Sequence, residues 1–289
     1  MKFLILAQIL FLTSLVGFAQ QVMLADSITK NPVYIFLSPS FYTISEVCVT
    51  AKKRKFYHCK VFFRSIEHVD SCLKYYMDGI REFFIDTKSK KVHYGNVETN
   101  YFMSKRKDIA QKKRSMMIGD RYMALPFLDK NTLYEETMRD KKRNIESGIV
   151  YADSISIGSY EIRSDNSEML LSIDALWPKN SLVTNLFGYT QVLSQYNKTE
   201  LYRYNDFDAP SVFNLKSSNS YRHLTLTHKK ENLVRDIDVE DMFYVVEYEY
   251  TDTKELSSSE LLQEDYKKYS GMFPITERIK EQLIREEEL

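Results

Sequence analysis

Met242-Phe-Tyr-Val-Val-Glu-Tyr-Glu-Tyr-Thr251 is the most regular stretch of the chain. Tyr244, Val246, Tyr248 and Tyr250 fall at every second position, while Phe243, Val245, Glu247 and Glu249 fill the alternate set. A period of two with one apolar and one mixed face predicts a half-buried β-strand. Upstream of it, residues 149–153, 156–163, 169–176, 190–196, 200–204 and 221–228 carry shorter stretches of the same kind. Three longer ones precede these. Residues 56–69 place Tyr57, Cys59, Val61 and Phe63 on one side, residues 72–85 carry Leu73, Tyr75 and Met77, and residues 91–103 carry Val92, Tyr94, Val97, Tyr101 and Met103. Asp86-Thr-Lys-Ser-Lys90 reads as a hairpin loop, and Asp78-Gly79 as a turn or bulge, because Gly tolerates positive φ. The set predicts an antiparallel meander.

Helical signals are few. Residues 104–118 form a basic, weakly amphipathic stretch closed by Gly119. Thr132-Leu-Tyr-Glu135 is a capping box, from which Leu133, Tyr134, Met138 and Ile145 predict a helix ending at Gly148. Ser257-Ser-Ser-Glu260 is a second capping box, leading to Gly271. Pro274 then opens an amphipathic helix through Ile275, Ile279 and Leu283. These elements predict an α+β fold: a large, curved, mostly antiparallel, half-barrel-like sheet with a few covering helices.

Before the meander, Pro32 and Val33-Tyr-Ile-Phe-Leu37 read as one strand, and residues 43–50 as an edge strand. Lys52-Lys-Arg-Lys55 reads as a solvated linker. Met1-Lys2, the apolar run from Phe3 and the small residues Gly17 and Ala19 match the three parts of a secretory signal peptide. The expected organisation is therefore a signal peptide over 1–19, an extended leader with one or two strands and a basic linker over 20–55, and one β-rich domain over 56–289. Export to the periplasm, the outer-membrane surface or the medium follows, with no membrane span once the signal is removed.

Composition narrows the function by exclusion. Net charge is zero, yet residues 21–150 hold 24 Lys and Arg against 15 Asp and Glu, and residues 151–289 hold 15 against 25. Two oppositely charged faces that attract within one fold or across a dimer explain this best; a basic face for anionic lipid or polysaccharide is the sharper alternative. Export makes nucleic acid a poor partner. Cys48, Cys59 and Cys72 allow one disulfide in any of three pairings, or none, and their spacing matches no zinc pattern. The chain has no His-Glu-x-x-His, no Gly-x-Ser-x-Gly and no phosphate-binding Gly loop, and its eight glycines make nucleotide binding improbable. No cofactor is expected.

Two acidic clusters remain, Asn205-Asp-Phe-Asp208 and Asp236-Ile-Asp-Val-Glu-Asp241. Asp206, Asp208, Asp236 and Asp238 are the weak candidates for metal ligands or for the paired carboxylates of a hydrolase. Solvated turns explain both clusters more simply. His223 and His228, five apart in one strand, point to opposite faces and cannot share a metal.

Glu46-Val-Cys-Val-Thr-Ala51 resembles the "EVVV-x-A" strand of exported Gram-negative envelope proteins that carry a carboxypeptidase-regulatory-like domain. Phe62-Phe-Arg64 resembles their "FYR" strand, and Phe273-Pro-Ile275 before a helix is similar to their tails. The regulatory-like domain itself is truncated or absent here, and the resemblance implies no catalytic residues. The leading expectation is a non-enzymatic envelope protein that binds an apolar ligand, a lipid or a protein partner on a curved sheet. A secreted hydrolase using clustered carboxylates is the alternative, and a purely structural surface role is the third reading.

Overall fold

The computed structural model describes residues 54–105, 128, 130–163, 167–176, 179, 181–186, 188–204, 209–228 and 232–287, with the pairs 36–37 and 42–43. The chain divides into two units, residues 1–53 and 54–289. In the first, β1 (Phe36–Leu37) pairs antiparallel with β2 (Tyr42–Thr43). The predicted helix over 104–118 falls largely outside the described residues, as does Cys48.

The second unit is built on one antiparallel sheet. Its strands are β3 (Phe56–Val69), β4 (Cys72–Asp86), β5 (Val92–Met103), β6 (Arg143–Glu146), β7 (Ile149–Ala152), β8 (Ile155–Arg163), β9 (Glu168–Asp174), β10 (Leu182–Leu186), β11 (Tyr189–Arg203), β12 (Leu215–His228) and β13 (Leu233–Thr251). They lie in the order β5-β4-β3-β13-β12-β11-β9-β8-β7-β6, with β10 beside the first half of β11. The sheet does not close. Among the described residues three helices accompany it: α1 (Leu133–Arg139), α2 (Ser259–Met272) and α3 (Glu277–Glu287).

Curvature follows from the core. Tyr57, Cys59 and Val61 of β3 share one buried cluster with Val150 and Ala152 of β7, Ile157 of β8 and Met169, Leu171 and Ile173 of β9. β3 and β7 stand six steps apart in the sheet, about 29 Å if it were flat. Their side chains meet only because the sheet curls, so this face is concave, and we call it inner. The outer face of β3 and β4 is buried by the C-terminal helices: Phe62 and Ile80 pack with Leu262 and Tyr269 of α2, and Ile66, Leu73 and Tyr76 with Ile279 of α3. Every residue of β3 is consequently buried, charged ones included.

Several sequence expectations change. The acidic run Asp236–Asp241 is strand rather than turn, because Ile237 and Val239 bury inward while the alternate acids face out. It extends the predicted strand at 242 back to Leu233. A bulge between Val245 and Glu247 shifts the alternation by one residue, so Tyr248 and Tyr250 share the inner face with Phe243 and Val245, while Tyr244, Glu247 and Glu249 face out. Gly79 sits in mid-strand, paired with Phe63 and Thr99, and is neither turn nor bulge. α1 keeps its Thr132–Glu135 capping box but ends at Arg139. Residues 143–146, predicted to be helical, instead pair with β7 across the positive-φ turn Ser147-Gly148. The N-cap of α2 is Ser258, one residue later than predicted, and Gly271 lies inside the helix, whose C-cap is Phe273.

The charge asymmetry is spent within the fold. β3, from the basic half, pairs with β13, from the acidic half. The contacts there and at the adjoining turns include Arg54–Asp252 at 2.5 Å, His58–Glu249 at 3.1 Å and Lys60–Glu247 at 3.3 Å.

The outer face is also matched to the dipole of α2. Glu82, fully buried, accepts hydrogen bonds from Ser257 N and Oγ beside the helix start. At the other end Arg64 donates to the Phe273 carbonyl at 2.6 Å and the Pro274 carbonyl at 3.3 Å. A carboxylate thus meets the positive helix end and a guanidinium the negative one. His58 Nε2 lies 3.3 Å from Glu82 and Nδ1 3.1 Å from Glu249. Burial opposes charge on His58, but the hydrogen bonds to Glu82 and Glu249 outweigh it and raise its pKa above 6.5. Burial would raise Glu82, but the bonds from His58 and Ser257 hold it below 4.5.

The pH dependence follows from these directions. The His58 contribution is complete below the ordinary value of 6.5 and is lost as pH rises through its raised folded value. The Glu82 contribution is complete above 4.5 and is lost as pH falls through its depressed value. Stability in urea is therefore expected to be greatest between those two values and to decline on the alkaline side. His58→Gln should flatten that alkaline decline; a wild-type profile that stays level above 6.5 would contradict the assignment.

Candidate functional site

The inner face can be read as cross-strand rows. From the β5 edge inward these run Tyr94–Phe83–Cys59–Tyr248, then Val97–Arg81–Val61–Val245, then Thr99–Gly79–Phe63–Phe243–Ser218–Glu200, then Tyr101–Met77–Ser65–Asp241–Ser220–Lys198, then Met103–Tyr75–Glu67–Val239–Arg222–Tyr196. The β4 and β3 positions form a buried, largely aromatic floor in which Phe83, Met77, Tyr75 and Phe63 are all under 10% exposed, with the polar Ser65 and Glu67 buried among them. The β5 side chains above that floor are open. Tyr94 is 52%, Val97 38%, Tyr101 40% and Met103 48% exposed. Tyr101 stacks on Tyr75 and Tyr94 meets Phe83 edge-on, so the open side chains continue the buried aromatic surface.

Two features border this strip. Farther in, Ser65 Oγ donates to Asp241, which also receives Arg222 at 2.5 Å; Lys198 meets Glu200 at 3.0 Å. Glu200 is buried and accepts the Leu133 amide at the start of α1, which fixes that helix against β11. Within the strip lies Arg81, with its guanidinium 4.5 Å from the Tyr94 ring centre and 5.6 Å from that of Phe83. Burial lowers its pKa from the usual arginine value. Sequence reading listed the β5 side chains as strand residues only and missed Arg81, whose position among aromatic rings is a product of register.

The acidic candidates land elsewhere. Asp206 and Asp208 lie outside the described residues. Asp236 and Asp238 sit on the outer face of β13, opposite Thr225 and His223. Asp236 accepts from Thr225 Oγ1 at 3.1 Å. One oxygen of Asp238 accepts from Tyr221 at 2.6 Å and lies 2.8 Å from His223 Nδ1. Burial would raise this carboxyl, but those two bonds hold it below the usual range. Tyr221, in turn, is pushed up to about 12 by burial and by the carboxylate. His223 faces outward, whereas His228 stacks on Tyr189 in the inner cluster, so the two are on opposite faces. Among the described residues no three His, Cys, Asp or Glu side chains converge on a metal position. Cys59 is deeply buried, its thiol pushed up to about 12 by burial, and it forms no disulfide with Cys72. No described helix is long and apolar enough to cross a membrane.

No family model matches the chain, and no curated protein matches it. Among solved structures, one of lipovitellin, concerned with its lipid–protein interactions, aligns at 10% identity and a TM-score of 0.29. The alignment spans 72% of this chain and 27% of that one. A likeness this low carries no argument about function.

Proposed function

We propose that this chain is a non-enzymatic, exported cell-envelope protein whose curved sheet holds an apolar ligand on its inner face beside β5. The observation that carries this reading is the half-exposed set Tyr94, Val97, Tyr101 and Met103 above a buried aromatic floor. Most of the remaining inner face is packed, as Tyr57, Phe83 and Leu171 are, by the curl of the sheet. The apolar surface along β5 is where a ligand can gain contact without displacing core. The signal-like segment at residues 1–19 supports export, and the resemblance of residues 46–51 and 62–64 supports the envelope. The hydrolase reading has less behind it, because Asp238 is already satisfied by Tyr221 and His223 on the opposite face.

N-phenyl-1-naphthylamine, a neutral probe that brightens in apolar surroundings, tests the site. The wild-type protein is expected to raise its emission saturably. The double variant Tyr101→Glu, Met103→Glu should weaken binding by at least about tenfold, since each lost apolar contact is worth more than 1 kcal/mol. A folded wild-type protein that leaves the probe dark would overturn the reading.

A further inference from the structure

Not all of the positive charge is consumed by the β3–β13 pairs. At the end of the sheet where β3 and β5 begin and β4 and β13 finish, Lys55, Lys88, Lys91 and Lys254 are all exposed. Lys55 Nζ lies 5.1 Å and Lys254 Nζ 4.7 Å from the centre of the same Phe56 ring, and the His93 ring meets it edge-on at 6.2 Å. Burial and then the fields of Lys254 and Lys91 hold the His93 pKa below 6.5, against the opposite pull of Asp86. The carboxylates of this end are engaged elsewhere. Asp252 meets Arg54, Glu135 meets Lys90, Asp86 accepts from the amides of Lys88 and Ser89, and Glu255 accepts from the Thr253 hydroxyl. Among the described residues no carboxylate lies at ion-pair distance from Lys55, Lys88, Lys91 or Lys254. Apolar side chains stand beside these cations: Tyr94 is 52% and Leu256 55% exposed, and Leu256 lies over Gly95 of β5.

We propose that this sheet end docks on an anionic lipid membrane, with Lys55, Lys88, Lys91 and Lys254 among the head groups and Tyr94 and Leu256 entering the interface. The charge is complementary, and each lysine stem can lie in the apolar boundary while its ammonium reaches a phosphate. Tyrosine suits the same depth, with an apolar ring and a polar tip. The cations are spread over several strand ends and every one is exposed, which fits a broad charged surface better than a single bound ion. The surface is separate from the apolar-site reading, and neither requires the other.

Flotation of the full chain with vesicles of phosphatidylcholine alone, and of phosphatidylcholine and phosphatidylglycerol in equal parts, tests the surface. The difference between the two vesicle types removes any contribution of the apolar run that starts at Phe3. The wild-type protein is expected to favour the anionic vesicles, and less so as salt is raised, because exposed charges are screened. The variant Lys55→Gln, Lys91→Gln, Lys254→Gln should lose about a hundredfold in partitioning, at roughly fivefold per cation near an anionic surface. Lys179→Gln, Lys267→Gln, which removes exposed cations away from this end, should leave the preference nearly unchanged. Equal binding to both vesicle types, or an undiminished preference in the triple variant, overturns the proposal. Displacement by inorganic phosphate at constant ionic strength would indicate a discrete anion pocket, and binding of alginate without vesicles a polysaccharide partner; either result overturns it as well. The wild-type vesicle comparison decides the matter even where a variant does not fold.

Discussion

Gly79→Val is expected to be the most damaging single substitution, costing more than about 3 kcal/mol, at or beyond the upper end of ordinary overpacking. Gly79 lies within β4, between Phe63 of β3 and Thr99 of β5. A Cβ built there would stand 2.1 Å from the Glu98 carbonyl oxygen and 2.9 Å from the Phe63 ring. The ring could turn, but the carbonyl belongs to the backbone of the neighbouring strand and is held by the β4–β5 ladder. Relief therefore requires the edge strand to move, and with it the open strip of Tyr94, Val97, Tyr101 and Met103. Urea unfolding followed by circular dichroism measures the loss. Gly271→Ala is the internal control: nothing lies within 4 Å of its Cβ, and it sits in α2, so it should be neutral or stabilising by up to about 1 kcal/mol. Similar stabilities for Gly79→Val and wild type would show that the edge is far looser than its register implies.

The second large effect is expected at Arg64. Its guanidinium is buried, donates to the Phe273 and Pro274 carbonyls at the end of α2, and reaches Asp78 at 3.4 Å. Asp78 is itself buried and accepts from the hydroxyls of Tyr76 and of Tyr266, at 3.0 Å for the latter. Burial, together with the Asp78 carboxylate, pushes the Tyr266 hydroxyl up to about 12, so it stays a donor across the working range. Arg64→Met removes the cation and leaves a buried carboxylate and two helix-end carbonyls without it, a change worth about 3–5 kcal/mol. Asp78→Asn placed on that background should recover a large part, because an uncharged amide is cheaper to keep buried than a lone carboxylate. Hydrogen exchange should locate the damage in residues 259–287 rather than in β7–β9. A loss below about 1 kcal/mol, or one spread evenly over the sheet, would show that Arg64 does not anchor α2.

The outer face explains why its own residues mislead when read in sequence. His58, Lys60, Arg64 and His68 give β3 the look of a strand with one wet face, yet all four are buried. Their partners are remote: Glu249, Asp265, Phe273 and Gln282 lie roughly two hundred residues downstream. A cation pattern of period two is the same whether water or a helix waits above it. The bulge at Val246 had no local signal either, since one extra apolar residue in an apolar strand breaks no propensity rule. The acidic run before it was ambiguous for a related reason. Alternating Asp and Glu suit a turn as well as a strand face, and only the pairing of Asp238 with His223 and of Asp236 with Thr225 selects the strand.

By itself the sequence determined the strand-rich composition, the one-sided set Tyr57, Cys59, Val61 and Phe63 of β3, and the capping box of α1, because each depends on neighbours within a few positions. It also placed the aromatic residues that now line the β5 edge. Tertiary structure alone decided that β3 meets β7 across the curl, that the C-terminal helices bury a charged face, and that Arg81 lies among aromatic rings beside an open apolar strip. Those outcomes depend on register and curvature, which sum small preferences over many strands and appear at no single position of the chain.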